Sequence, residues 1–341
     1  MTMVYFEDDA KPGLLQNKTF GIIGFGALAR TATYRLRDNG LNVIVSGNSD
    51  DQSRAYAESL NVGTIANTVK QSDIVLLLLP DETMPRTYIE AVSPHLRRGQ
   101  TLIFSSAYTV AFGFIEPPPF VDVGVIAPRD AALRDGEYNT GGGHDQPAEQ
   151  AIEQTPSYLS VWQDASRNAW DIVLAVAHAI GALKAGAIEL NAEQEAELSL
   201  FIQQTILPAF HHMITKAANL LMDQGYPAEA VLIDLYLAGR FSSYIRQIAS
   251  TGLLPALQNA SLTSQYGTMS RMERFNDLKL ERLLEVTLEE IRDGSFAREW
   301  SQEHADGHPR LSKLLRHHAN MDLWELEQQT LELTDDNRRF R

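Results

Sequence analysis

Gly24, Gly26 and Ala29 stand at the spacing G-x-G-x-x-A, directly after the apolar run Phe20–Ile23 and at the head of a stretch with helical periodicity. Between a strand and a helix, each small residue has a physical reason. The first glycine allows the tight turn, the second lets a pyrophosphate approach the backbone, and the third small residue lets helix and strand pack closely. The phosphates would lie at the positive end of the helix. Gly24-Phe25-Gly26-Ala27-Leu28 is therefore the candidate cradle for NAD(P)H, against the alternative of a glycine turn that holds no ligand. A second cluster, Asn48, Ser49, Asp51, Ser53 and Arg54, follows the next apolar run, where folds of this type read the adenosine ribose. Asp51 would repel a 2′-phosphate or accept a bond from a free 2′-hydroxyl, whereas Ser49, Ser53 and Arg54 could form a phosphate pocket. Asp50 and Asp51 could equally do no more than cap the following helix. The reading leans to NADH.

Further polar candidates follow the later apolar runs. Leu79-Pro80-Asp81 closes the run Ile74–Leu79 and should line the cofactor cleft at a strand's carboxyl end. Tyr108 lies just past Thr101–Phe104 and could donate a proton to a reduced carbonyl or simply pack the cleft wall. Arg129 carries a planar fork that suits a carboxylate. His211 and His212 could face a cleft, although a core or interface role is the plainer account, and His144 reads as solvated. Tyr236 could serve or merely pack.

Positioning these residues requires a doubly wound α/β sheet, the N-terminal Rossmann domain. Strands are expected at Phe20–Ile23, Asn42–Val45, Ile74–Leu79, Thr101–Phe104, Val121–Ile126 and Tyr158–Trp162. Between them, Ala27–Asn39, Gln52–Leu60 and Ala169–Ile180 have helical spacing. Gly136–Gln154 is rich in glycine and glutamine and reads as a surface loop. After Glu189 the pattern becomes helical throughout, over Asn191–Gln224, Ala228–Ser250, Leu278–Arg292 and Pro309–Arg316. The boundaries expected are a dinucleotide-binding domain over 1–186, an all-α domain over 187–330 for dimerisation and substrate, and a tail over 331–341, frayed from Asp335.

Composition narrows the function classes. The 341 residues suffice for two domains with real cores, and 44% are apolar. A formal charge of −15 repels phosphate backbones and anionic lipid, which argues against a nucleic-acid or membrane-surface role. With no cysteine, disulfides, thiol catalysis and cysteine-bound zinc are excluded, and a cytoplasmic location fits. The opening MTMVYFEDDAKPG has neither the basic nor the apolar part of a signal peptide, and no apolar run reaches membrane-spanning length.

Several segments together resemble the class I ketol-acid reductoisomerases. LIFSSAYTVAFGFIEPPPFVDVGVIAPR, from Leu102 to Arg129, keeps the framework of that family's active-site stretch. Leu78-Leu79-Pro80-Asp81-Glu82 matches its LLPDE. VWQDASRNAWDIVLAVAHAIGALKAGAIE and DGSFAREWSQEHADGHP resemble two later segments, so the likeness runs along nearly the whole chain. It implies a Rossmann domain, a knotted helical domain and a homodimer with active sites between subunits. At the individual positions the chain departs from the pattern. The family's histidine falls at Ser106 and its lysine at Arg129. Its arginine and serines that hold the NADPH 2′-phosphate fall at Asn48, Asp51 and Ser53.

The family's alkyl migration needs two magnesium ions held by four carboxylates. Aligned on Leu200 and Phe201, the first two ligands become Ser199 and Gln203, and the pair expected from the other subunit becomes Asp234 and Ala238. One carboxylate cannot compensate two divalent cations, and Glu193 and Glu197 lie on a different helix face. No magnesium site is therefore expected. Ser261 falls at the family's substrate serine. The leading expectation is a metal-independent reductase of a C=O or C=N bond in a small carboxylated molecule. In it Asp234 or Tyr108 gives the proton, Arg129 and Ser261 hold the substrate, and Ser106, Ser199 and Gln203 shape a neutral pocket. The alternatives are a non-catalytic dinucleotide-binding dimer and a true ketol-acid reductoisomerase with an altered site.

Overall fold

The computed structural model describes residues 3–129, 152–275, 279–319 and 322–339. The chain divides into two units, Met1–Leu198 and Ser199–Arg341. The first unit includes the strand Ala187–Glu189 and most of the helix Ala192–Phe201.

Among the described residues eight strands form one sheet: β1 (Val4–Tyr5), β2 (Thr19–Ile23), β3 (Asn42–Ser46), β4 (Ile74–Leu77), β5 (Thr101–Phe104), β6 (Asp122–Pro128), β7 (Ser157–Gln163) and β8 (Ala187–Glu189). Their order is β1-β8-β7-β6-β5-β4-β2-β3. From β3 to β6 all neighbours are parallel, while β7 runs antiparallel to β6 and β1 antiparallel to β8. Every residue of β4 and β5 is buried, which is why IVLL and TLIF are unbroken runs without alternating polar residues. Alternate side chains feed two cores. Phe20, Ile22, Leu76 and Ile103 pack with the helices Ala27–Asp38 and Ala169–Ala179, and Ile23, Leu77, Leu102 and Phe104 pack with Met84, Tyr88 and Val92. Gly124 shows why β6 interrupts its apolar run: a Cβ there would lie 2.2 Å from Val173 of the covering helix.

Several expected bounds move for local reasons. The strand expected to reach Leu79 ends at Leu77, where Leu78 turns away after donating to the Ile23 carbonyl. The helix expected at Gln52–Leu60 spans Ser49–Ala57, because Asn48 caps it. The short edge strand β1 and its neighbour β8 had no sequence signal. Most of the expected surface loop Gly136–Gln154 lies outside the described residues, as does His144, and Ile152–Gln154 is helical.

The second unit is helical throughout its described residues. Two of its long helical stretches contain a π turn, at Ile202–Ile206 and at Ile233–Leu237. The first follows Ala192–Phe201 and precedes Leu207–Asp223, and the second sits between Ala228–Leu232 and Gly239, whose φ of 74° ends that helix. A small core joins Ala218, Val231, Leu232 and Leu323. The residues expected as a tail from 331 continue the helix Asp322–Arg339, anchored by buried Leu323 and Thr330. Among the described residues no helix is long and apolar enough to cross a membrane.

Candidate active site

In sequence order the chain runs from β2 outward to β3, then returns across β2 to β4, so the strand order switches direction between β2 and β4. Folds of this kind bind ligands outside the carboxyl ends of the strands at such a point. The loops after β2, β4, β5 and β6 leave that same edge, and they carry Gly24–Gly26, Leu78–Asp81, Ser106–Tyr108 and Arg129.

Gly24 has φ 101°, and an added Cβ would meet the Leu78 carbonyl oxygen at 2.3 Å, so the turn after β2 and the loop after β4 touch only because this residue lacks a side chain. Gly26 differs. Its Cβ would meet nothing within 4 Å, and the helix Ala27–Asp38 starts there with no side chain capping its N–H groups. Open space above uncapped amides suits a pyrophosphate. Phe25 and Leu28 are buried and hold the turn from beneath.

After β3, Asn48 and Asp51 form a reciprocal cap. The Asn48 side chain accepts from the Asp51 amide at 2.8 Å, and the Asp51 carboxylate accepts from the Asn48 amide at 3.4 Å. Asp51 is buried and also accepts from Arg54 at 2.7 Å, while Asp50 lies 3.4 Å from the same guanidinium. Ser53 donates to the Ser49 carbonyl. Of the pocket expected for a 2′-phosphate, the cation Arg54 is thus engaged by two carboxylates.

Ser106 is buried and donates to Asp81 at 3.3 Å, linking the loops after β4 and β5. Tyr108 stacks against Phe114 and tilts against Phe112, and its buried hydroxyl has no hydrogen-bond partner among the described residues. Burial, then the charges of Asp81 and Glu82, hold its phenol well above the ordinary range. A buried hydroxyl left unpaired costs about 1–3 kcal/mol, a cost that a ligand oxygen would remove.

Glu195 had no place among the expected site residues. Its side chain is 1% exposed, accepts from the Ala107 amide at 2.8 Å, and pairs with Arg129 at 3.0 Å. Arg129 also lies over the Tyr158 ring at 4.7 Å. One carboxylate therefore ties the turn carrying Ser106 and Tyr108 to the cation at the end of β6. Its signal was present in the sequence: Ala192, Glu195, Ala196 and Ser199 follow i, i+3, i+4, i+7, and all four are buried. The flanking acids Glu193 and Glu197 made the segment look like a solvated face, and Glu193 is exposed.

The remaining candidates belong to the second unit. Ser199 is buried, and Gln203 and Asp234 are exposed, each of these last two within a π turn. Such turns cluster at functional sites. Ser261 accepts from the Ser264 amide at 3.2 Å and so caps the helix Leu262–Met272. His211 and His212 are exposed, with His211 against Trp324, and Tyr236 donates to Glu327.

The donor set can be tested against two magnesium ions. Ser199, Gln203, Asp234 and Ala238 offer one carboxylate, and Glu195, one turn before Ser199, is engaged by Arg129 and the Ala107 amide. These residues do not fit a binuclear magnesium centre. The cofactor cradle, with its open Gly26, fits a dinucleotide.

Two family models match the chain. "Acetohydroxy acid isomeroreductase, NADPH-binding domain" covers residues 14–186, and "Ketol-acid reductoisomerase, C-terminal domain" covers 192–335. A Saccharolobus solfataricus protein bearing a ketol-acid reductoisomerase name is 35% identical, with 94% of this chain and 92% of the relative covered. The ketol-acid reductoisomerase (NADP(+)) of Methanocaldococcus jannaschii is 31% identical over 93% of each chain. An NADH-preferring ketol-acid reductoisomerase structure from an uncultured archaeon superimposes with a TM-score of 0.83 at 24% identity, covering 97% of this chain and 99% of that one, and so shares its fold. The chain belongs to the ketol-acid reductoisomerase family of NAD(P)H-dependent oxidoreductases.

Proposed function

We propose that this ketol-acid-reductoisomerase-type oxidoreductase reduces a C=O or C=N bond in a small carboxylated molecule, with no alkyl migration and no magnesium. The observation that carries the reading is the donor set: neutral Ser199, Gln203 and Ala238 stand where the family's metal chemistry calls for carboxylates. The bound cofactor would supply hydride, chemistry that does not require the metals. Gly24–Leu28 and Leu79–Asp81 would hold it, and the engaged state of Arg54 supports NADH over NADPH. Tyr108 would give its unpaired hydroxyl to the substrate oxygen or nitrogen, with Asp234 as the alternative proton source. Arg129, oriented by Glu195 and Tyr158, would attract the substrate carboxylate, and Ser261 would complete its binding. Ser106, Ser199 and Gln203 would keep the pocket neutral and polar.

The active unit is a homodimer in this reading. Its support is the second unit's unburied apolar surface, including Leu207, Met213, Leu220, Leu262 at 81% exposure and Tyr266 at 73%. The names of the 31–35% identical relatives favour the reading that keeps the migration. One assay separates the two: reduced-cofactor oxidation over a panel of 2-keto acids, cyclic imines and acetolactate. The proposal expects turnover of a keto acid or imine and none of acetolactate. Acetolactate as the best substrate would overturn it.

A further inference from the structure

We propose that the helical unit carries a pocket for a small primary ammonium compound with a single-ring body. A cavity of about 190 Å³ opens between the helix Leu207–Asp223, the segment carrying Tyr236, and the helix Asp322–Arg339. Its depth is apolar, with Ala218, Leu232 and Leu323 buried beneath it. A dry cavity of ~150 Å³ in an unrelated protein takes up benzene, so one ring with a short side arm is the right size.

The polar end selects the head group. Glu327 lines the cavity and accepts from the Tyr236 hydroxyl, and among the described residues no lysine, arginine or histidine pairs with it. The Tyr236 hydroxyl gives its proton to that bond, so the couple turns acceptor oxygens towards the cavity. Trp324 and Phe210 supply aromatic faces beside it, with His211 against Trp324 at 5.5 Å. A carboxylate flanked by aromatic faces is the chemistry that recognises an ammonium. A half-buried carboxylate without a cation also gains more from an ammonium than from a neutral group. An anionic ligand would meet Glu327 directly, so this pocket is distinct in ligand class from the site proposed for a carboxylated substrate.

The test titrates the full-length protein with phenethylamine, 2-phenylethanol and 3-phenylpropanoate, which share a body and differ in the head group, by calorimetry and tryptophan emission. The amine should bind at least tenfold more tightly than the alcohol, and the propanoate should give no heat. Glu327→Gln should bring the amine to the level of the alcohol, and Trp324→Phe should remove the emission change. Equal affinity for all three compounds would overturn the proposal. So would absence of amine binding at millimolar concentration, which is also the result if a second copy fills the cavity. Because the ligand series runs on the unaltered protein, a variant that fails to fold leaves the test intact.

Discussion

Gly24 and Gly26 sit two residues apart and face opposite constraints, and the difference can be measured. An alanine at Gly24 would place its Cβ 2.3 Å from the Leu78 carbonyl at a φ of 101°, so Gly24→Ala should lower the melting temperature of the free protein. Gly26 has open space, so Gly26→Val should melt close to the parent and yet lose the upward shift that NADH or NADPH gives a native-state binder. Equal loss of stability in both would mean that the space above Gly26 serves packing rather than a cofactor. Tyr108 allows a second separation of roles. Tyr108→Phe removes a buried hydroxyl that has no partner among the described residues, so stability should hold or rise. If the hydroxyl protonates the substrate, kcat should fall by about 10²-fold or more. Because the phenol is held above its ordinary range, no alkaline limb below that range should belong to Tyr108. The glycine fingerprint was legible in the sequence because backbone geometry dictates residue type there. The helical spacing marked Glu195 as inward-facing but not its role, because its partners, Arg129 and the Ala107 amide, are distant in sequence and meet it only in the folded sheet.

At the level of elements, the central strands were readable because burial on both faces favours unbroken apolar runs, and Thr101–Phe104 was placed to the residue. Edge strands such as β1 carry no such constraint, and Val4 is largely exposed, so nothing marked it. The π turns were also invisible. Leucine and isoleucine runs fit an α and a π spacing equally over one turn, although these turns decide which way Gln203 and Asp234 project. Ion pairs between elements set the acid stability. Glu153 accepts from Lys184, at 2.5 Å, and pairs with Arg35 of the helix Ala27–Asp38. The Lys184 bond first, then Arg35 against the cost of burial, holds the Glu153 carboxyl below the usual range. Its folded pKa being lowered, Glu153 contributes stability above the ordinary glutamate range and loses it as pH falls through the folded value. Denaturant unfolding of Glu153→Gln should therefore show the variant weaker than the parent at neutral pH and the gap closing in acid. A gap that is the same at every pH would contradict the assignment.

At the scale of the whole molecule, the proposed function places altered chemistry within the family's framework. The sheet, its switch point and the glycine turn remain, and the two family models account for residues 14–186 and 192–335. In the proposed reading what differs is charge: neutral Ser199, Gln203 and Ala238 at the expected metal positions, and neutral Ser106 at that of the family's histidine. Neutral oxygens cannot offset two divalent cations in a partly dehydrated cleft, so the loss of carboxylates should reach the level of activity. The most direct measurement is the rate of reduced-cofactor oxidation by the purified protein with its substrate in EDTA, followed by magnesium addition. Metal independence predicts the same rate in chelator, in buffer and in excess magnesium. Activity that EDTA abolishes and magnesium restores would contradict it and place metal ligands where Ser199, Gln203 and Asp234 stand.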